Sequence, residues 1–270
     1  MIHLARHQTV LQRLGLSTLE QVRAFQGETI KAHREGRRDI LRIQTCDETG
    51  APLVLYLKRT WCAYKKDGLR TLLRHGRVWS VSREEWENSL RLHQAGLKTA
   101  PLVAYGEDCG WWHEHFSFLI TESVEGEGTL EQFLQECRDP GRRQLVLDAL
   151  ARDIRRMHQA GLAMPDLFTW HIYLELAGDQ PVFYFIDMAR LDRRAGSSLS
   201  GRIRDLAALN VTAPLRLVST RERFRFLRVY DGKIDRKLLR GISARMEQLL
   251  HRRKYAGFMN LPTLQTHHQR

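Results

Sequence analysis

No run in this 270-residue chain approaches the roughly 18 uninterrupted apolar residues of a membrane-spanning helix. The opening MIHLARHQTV has no apolar signal core. The expectation is therefore a cytoplasmic protein, one that can still touch a membrane surface. Cysteine is scarce. Cys46, Cys62, Cys109 and Cys137 form no C-x-x-C pair, which argues against a zinc site and, at this size, against a disulfide framework. They are expected to be reduced, partly buried, small apolar residues. Internal repeats and low-complexity stretches are absent. Acidic residues are the minority, 31 Asp and Glu against 43 Lys and Arg, for a net charge of +12. That balance favours an anionic partner: nucleic acid, phosphate-rich lipid or an acidic protein. Nucleic acid is disfavoured, because no RNA- or DNA-binding motif is present and the aromatics do not cluster on basic strands as stacking platforms would.

What is there is a globular, soluble composition, 43% hydrophobic and 27% charged. Residues 1–26 read as a leader and a short helix, with Leu19, Val22 and Phe25 at spacings of three. GETIKAHRE, RRDILRIQTCD and LVLYLKRTW read as three strands of an antiparallel meander. A basic insert covers 64–81, and a helix is expected from Ser82 to Ala95, stopping at Gly96. Two more strands follow, around Ala104–Glu107 and in FSFLITES. Helices are then predicted over Thr129–Cys137 and Arg142–Ala160, the second with Leu145, Leu147, Leu150, Ile154 and Met157 on one face. Three more are predicted over 198–210, 219–230 and 235–254. The fold class is α+β in two lobes: an antiparallel-sheet N-lobe with one helix over 1–122, a helical C-lobe over 123–258 and a polar tail over 259–270. Residues Glu122 to Gly128 would be the hinge, and ligands commonly bind in the cleft of such a layout.

The chemistry concentrates in Met157–Arg190. Asp166 lies in a polar loop, His171 follows five residues later, and Asp187 ends the apolar run Val182–Ile186. Two carboxylates on a loop and a strand end, with a polar residue between, is how protein kinases arrange their site: one faces the acceptor hydroxyl, the other holds magnesium on the ATP phosphates. A carboxylate at a buried strand end is costly without a partner or metal, which singles out Asp187.

The other parts occur in kinase order. Lys58 ends the third strand, where a kinase carries the lysine that pairs with the α- and β-phosphates; a surface lysine is the plain alternative. The helix behind it offers Glu84, Glu85 and Glu87. Glu85 is the expected ion-pair partner, although Ser82 and Glu85 also spell a capping box. A glycine-rich phosphate loop is missing, since the first strands hold only Gly27 and Gly36; Lys31, Arg34, Arg37 and Arg38 are candidates to share its task. Asp166 stands in M-P-D instead of H-R-D, without the arginine that meets a phosphorylated activation loop. A turn aspartate after the Gly161 helix stop is its bland reading. His171 either ligates the metal or orients Asp166. Asp205 either braces the catalytic loop or serves the dipole of a helix it opens.

The segments GETIKAHREGRRDILRI, LYLKR, the insert before EEW, LITESVEGEGTLEQF, MHQAGLAMPDLFTWH and FIDMAR together resemble the lipopolysaccharide core kinase family, the Kdo/heptose kinases of Gram-negative bacteria. The resemblance covers roughly Gly27–Leu209. It implies a protein-kinase-like fold, ATP and Mg²⁺, and phosphate transfer to a heptose or Kdo hydroxyl of the lipid A–core. By matching position, Asp166 resembles the catalytic residue, Lys58 and Glu85 the nucleotide ion pair, and Asp187 and His171 the metal side. The implied partner is an anionic glycolipid at the cytoplasmic face of the inner membrane. Basic stretches at 190–204, 221–228 and 236–254 would steer the protein there. Other readings are a pseudokinase-like scaffold, or a kinase for another small-molecule or protein acceptor.

Overall fold

Alternating large apolar residues build a six-stranded antiparallel sheet in the first half of the chain. In the computed structural model its elements are β1 (Ile2–Leu4), α1 (Gln8–Arg13), α2 (Leu19–Ala24), β2 (Glu28–Ala32), β3 (Arg38–Cys46), β4 (Pro52–Trp61), α3 (Lys65–His75), α4 (Val81–Gln94), β5 (Lys98–Thr99), β6 (Leu102–Cys109) and β7 (Glu114–Glu122). The strand order is β1-β6-β7-β4-β3-β2. The structure describes residues 2–4, 6–32, 36–61, 65–124, 126, 128–177 and 180–251. Cys62, Arg34 and the tail over 259–270 lie outside them.

The two faces of this sheet differ. Leu55 and Leu57 of β4 and Phe116, Phe118 and Ile120 of β7 point with Leu41 and Ile43 towards Leu11, Leu16 and Val22. Residues 1–26 are thus more than a leader: β1 pairs with β6, Ile2 opposite Gly106, while α1 and α2 cover the apolar face. Arg59 sits on that side almost fully buried and clamps the cover down. It pairs with Asp39 at 2.6 Å and donates to the carbonyls of Val22, Arg23 and Phe25 at 3.1, 3.2 and 2.8 Å. Strand side chains alternate in direction, so Lys58, one residue before Arg59, falls on the opposite face. It is registered with Leu119, which packs with Leu102 and Tyr105 against Trp86 of α4.

The basic insert expected at 64–81 holds a helix, α3. The next helix starts one residue earlier than predicted, with Ser80 as its cap, accepting from the Arg83 amide at 3.0 Å. The Ser82–Glu85 capping box does not form. Ser82 lies inside the first turn, and its hydroxyl meets that of Ser117 at 2.8 Å.

Two compact units divide the chain: Met1–Gly126 with Tyr184–Leu191, and Glu127–Phe183 with the residues from Asp192 on. Segment 184–191 joins the first because Tyr184 and Phe185 pair in parallel with β5. The second unit contains α5 (Leu130–Glu136), α6 (Pro140–Gln159), β8 (Ile172–Ala177), most of β9 (Gln180–Phe185), α7 (Leu199–Thr212), α8 (Thr220–Asp231) and α9 (Arg236–Leu250). Three of its helices begin on side-chain caps: Thr129 with Gln132, Asp139 ahead of Pro140, two residues before the predicted start at Arg142, and Ser219 with Glu222. On α6 the buried face is Val146, Leu147, Leu150, Ile154 and Met157. Leu145, expected on that face, is exposed, because two residues at about 100° each turn it away from Leu147.

Candidate active site

Lys58 and Glu85 meet. The ammonium Nζ donates to Glu85 Oε1 at 2.6 Å, with the carboxylate largely buried and the lysine about a quarter exposed. The sheet's alternation aims Lys58 at α4, and the helical period decides which glutamate receives it. Glu84, one position away, turns instead to Arg70 at 2.9 Å. Glu85 is thus the partner, and a surface lysine is ruled out.

Asn88, one turn beyond Glu85, donates its side-chain amide to the carbonyl of Met188 at 2.7 Å. This ties the helix carrying Glu85 to the residue after Asp187. Asp187 is exposed, so the reasoning that picked it out as a buried strand-end carboxylate does not hold. Its backbone singles it out for another reason. At φ 61° and ψ 56° it is left-handed, and among the described residues only His7 shares a positive φ without being glycine. Such a conformation costs on the order of 1 kcal/mol, tolerated best by short polar side chains, and clusters at functional sites.

Asp166 lies in the second unit, half-buried, on a loop pinned from several sides. Its carbonyl accepts from the Phe168 amide at 2.8 Å and from His171 Nδ1 at 2.9 Å. A carbonyl can only accept, so His171 donates from Nδ1, a bond that ties it to the loop. Two residues earlier, the Met164 amide donates to the Asp205 carboxylate. Asp205 does not open a helix, as sequence suggested. It is inside α7, fully buried, and Ser198 is the cap. The dipole reading falls and the brace remains. Two turns on, Thr212 receives the Thr169 amide at 3.1 Å and its carbonyl receives the Thr169 hydroxyl at 3.0 Å. One face of α7 thus holds both ends of the loop.

Behind Asp205 runs a chain that sequence reasoning missed. Arg202 Nε donates to the Tyr230 hydroxyl at 2.7 Å, Tyr230 meets His158 Nδ1 at 2.7 Å, and His158 Nε2 meets Asp205 at 3.3 Å. Arg202 can only donate and the Asp205 carboxylate can only accept, so Tyr230 accepts from Arg202, His158 Nε2–H donates to Asp205, and the Tyr230 hydroxyl can donate a hydrogen bond to Nδ1. Burial pushes the Tyr230 hydroxyl up to about 12, which keeps it a donor. The clue in sequence was the i, i+3 spacing of Arg202 and Asp205, but their partners lie 28 and 47 residues away.

Of the cations considered for the missing phosphate loop, Lys31 is exposed on β2, whose residues are all exposed and whose pairing with β3 carries a bulge at Thr29/Lys31. Arg37 and Arg38 lie at the β3 end of the same hairpin.

The description of a family, "Lipopolysaccharide kinase (Kdo/WaaP) family", matches residues 20–230. The chain is 32% identical over 247 residues to the lipopolysaccharide core heptose(I) kinase WaaP of Pseudomonas aeruginosa, covering 87% of this chain and 89% of that one. Against a protein of the same name from Escherichia coli it is 26% identical over 224 residues, 80% and 82% of the two chains. Among solved structures, WaaP in complex with acyl carrier protein aligns with 96% of this chain and 100% of its own, at a TM-score of 0.69 and 28% identity.

Proposed function

The chain belongs to the lipopolysaccharide kinase (Kdo/WaaP) family, and from that premise we propose that it transfers phosphate from ATP to a heptose or Kdo hydroxyl of the lipopolysaccharide inner core. It is a phosphotransferase of the lipopolysaccharide core with the protein-kinase-like fold of its relatives. The observation that carries the reading is the Lys58–Glu85 contact at 2.6 Å, made by the residues that a kinase needs to hold nucleotide phosphates.

In this reading Lys58 neutralises the α- and β-phosphates while Glu85 keeps it extended. Asp166 orients the sugar hydroxyl and accepts its proton as the oxygen attacks. His171, through its bond to the Asp166 carbonyl, and Asp205, through the Met164 amide, hold that loop in register. Catalysis here is mostly positioning and charge neutralisation.

Asp187 is the residue we assign to magnesium. The donor chemistry fits. Mg²⁺ takes oxygen ligands and is usually held by one or two carboxylates with substrate phosphates and water, so it needs no all-protein cage. Among the described residues no group of three His, Cys, Asp or Glu forms one. His171 donates from Nδ1 to the Asp166 carbonyl, so any metal role proposed for it falls to Nε2. When bound, magnesium neutralises charge on the transferring phosphoryl oxygens.

Two partners follow. The acceptor is an anionic glycolipid, and a protein of net charge +12 suits both it and the cytoplasmic face of the inner membrane. No described helix is long and apolar enough to cross a bilayer. A relative has been solved with acyl carrier protein, which supports an acidic carrier protein as the second partner.

The test is transfer of labelled phosphate from Mg-ATP to core lipopolysaccharide lacking phosphate, with Asp166→Ala as control. Label on the glycolipid with wild type alone supports the reading. Equal label with the variant, or none with either protein, sinks it.

A further inference from the structure

Three of the four most exposed large apolar side chains among the described residues gather in one place on the first unit. Trp111 is 88% exposed, Leu73 80% and Trp112 70%, and Leu69 adds a fourth at 52%. Trp111 and Trp112 form the tip between β6 and β7. Leu69 and Leu73 lie one turn apart on α3, on one side of the helix. Helix and tip are in contact through a glycine: a Cβ on Gly68 would lie 2.5 Å from the Trp112 carbonyl oxygen and 3.1 Å from the His113 Cα.

The other side of α3 is fastened to the protein. Thr71 is buried, and its hydroxyl receives the Trp79 amide at 3.1 Å. Arg70 and Arg74 reach the buried Glu84 at 2.9 and 3.7 Å. The four apolar side chains are therefore presented outward from a fixed base and are not the loose end of a core. Isolated exposed apolar residues are ordinary, but a contiguous group marks a docking surface.

We propose that this patch, Trp111 and Trp112 at the tip with Leu69 and Leu73 on α3, inserts into the headgroup region of an anionic membrane. Charge decides the occupant. Residues 65–77 carry five Lys and Arg against one Asp; Arg70 and Arg74 are half taken up by Glu84, and Arg77 at their end is exposed. A basic helix with an apolar stripe is the composition of an interfacial segment. Tryptophan rings settle at headgroup depth because one edge is polar and the rest is not. The inference goes beyond the phosphotransferase reading and is measured without ATP or acceptor, so either can fail alone.

The experiment is flotation of the full chain with vesicles of phosphatidylethanolamine and phosphatidylglycerol, against vesicles of phosphatidylcholine. Wild type floats with the anionic vesicles and not with the neutral ones, and its tryptophan emission shifts to the blue. Trp111→Ser/Trp112→Ser and, separately, Leu69→Gln/Leu73→Gln lower the bound fraction about tenfold. Both variants keep the wild-type Tm, and the first loses the blue shift. Flotation equal to wild type in both variants overturns the proposal, as does failure of wild type to float. A dimer of wild type that either variant splits also overturns it, by making a second copy the occupant.

Discussion

The side-chain amide of Asn88 donates to the carbonyl of Met188 at 2.7 Å, across 100 residues of sequence. One helical turn before Asn88 is Glu85; one residue before Met188 is Asp187. A single hydrogen bond thus links the element that holds Lys58 to the segment that presents Asp187. The Met188 carbonyl also accepts from the Leu191 amide at 3.0 Å, so removing the Asn88 donor costs about 0.5–1.5 kcal/mol, the net worth of one hydrogen bond. We expect Asn88→Ala to lower kcat by roughly a hundredfold, with a smaller change in the KM for ATP, since a displacement near 1 Å costs about that much. Steady-state kinetics with a parallel melting curve checks this, and unchanged kcat would remove Asn88 from the positioning set.

Asp187→Asn separates charge from conformation. Asparagine tolerates the left-handed backbone as aspartate does, and the position is exposed. Turnover should drop by orders of magnitude while the melting temperature stays within about 2 °C. A variant that melts much earlier would show that the residue is structural.

Lys58→Met and Glu85→Gln should each reduce kcat/KM for ATP by more than tenfold, and the double variant should be little worse than the Lys58 variant. Residues that act as one pair are non-additive. Additive losses would mean that Glu85 acts elsewhere.

The brace is a stability device as well. Asp205 is fully buried and accepts from Met164, His158 and, at 3.1 Å, Arg204 Nε. Asp205→Ala strips the charge from that network and should destabilise the fold by about 3–5 kcal/mol. Asp205→Asn, which keeps an acceptor, should melt closer to wild type yet turn over slowly, because the Met164 amide is held less firmly. Chemical denaturation and kinetics on both variants distinguish the two effects.

Stability should depend on pH through Glu114. Burial pushes its carboxyl up to about 7, against hydrogen bonds from Ser117 at 2.5 Å and the Val81 amide at 2.9 Å that pull it down. The folded state therefore holds this proton over a range where the unfolded chain, with its ordinary value of 4.5, has released it. Its contribution is fully present below that ordinary value and is lost as pH rises through 7. Glu114→Gln should flatten the melting temperature across this window; an unchanged slope would assign it to other groups.

Element order and residue types were legible in sequence because they rest on local physics. Short strand-forming runs marked the sheet around Lys58, apolar residues at helical spacing marked the long helix α6, and loop residues with an apolar run marked Asp166 and Asp187. The expectation of partly buried thiols held only in part: Cys46 is exposed, whereas burial pushes the Cys109 thiol up to about 12, helped by the neighbouring Glu107 and Glu114.

By itself the sequence determined that this chain carries a lysine on a central strand, three glutamates on the helix behind it and two aspartates in kinase order. Only the tertiary structure decided that Glu85 and not Glu84 meets Lys58, that Ser80 and not Ser82 caps the helix, that Asp205 braces a loop from mid-helix, and that Asp187 is exposed and held in a left-handed turn. Most of those depend on where a side chain points when elements 27 to 100 residues apart pack together. Local periodicity sets the face of an element, and only packing supplies what that face meets.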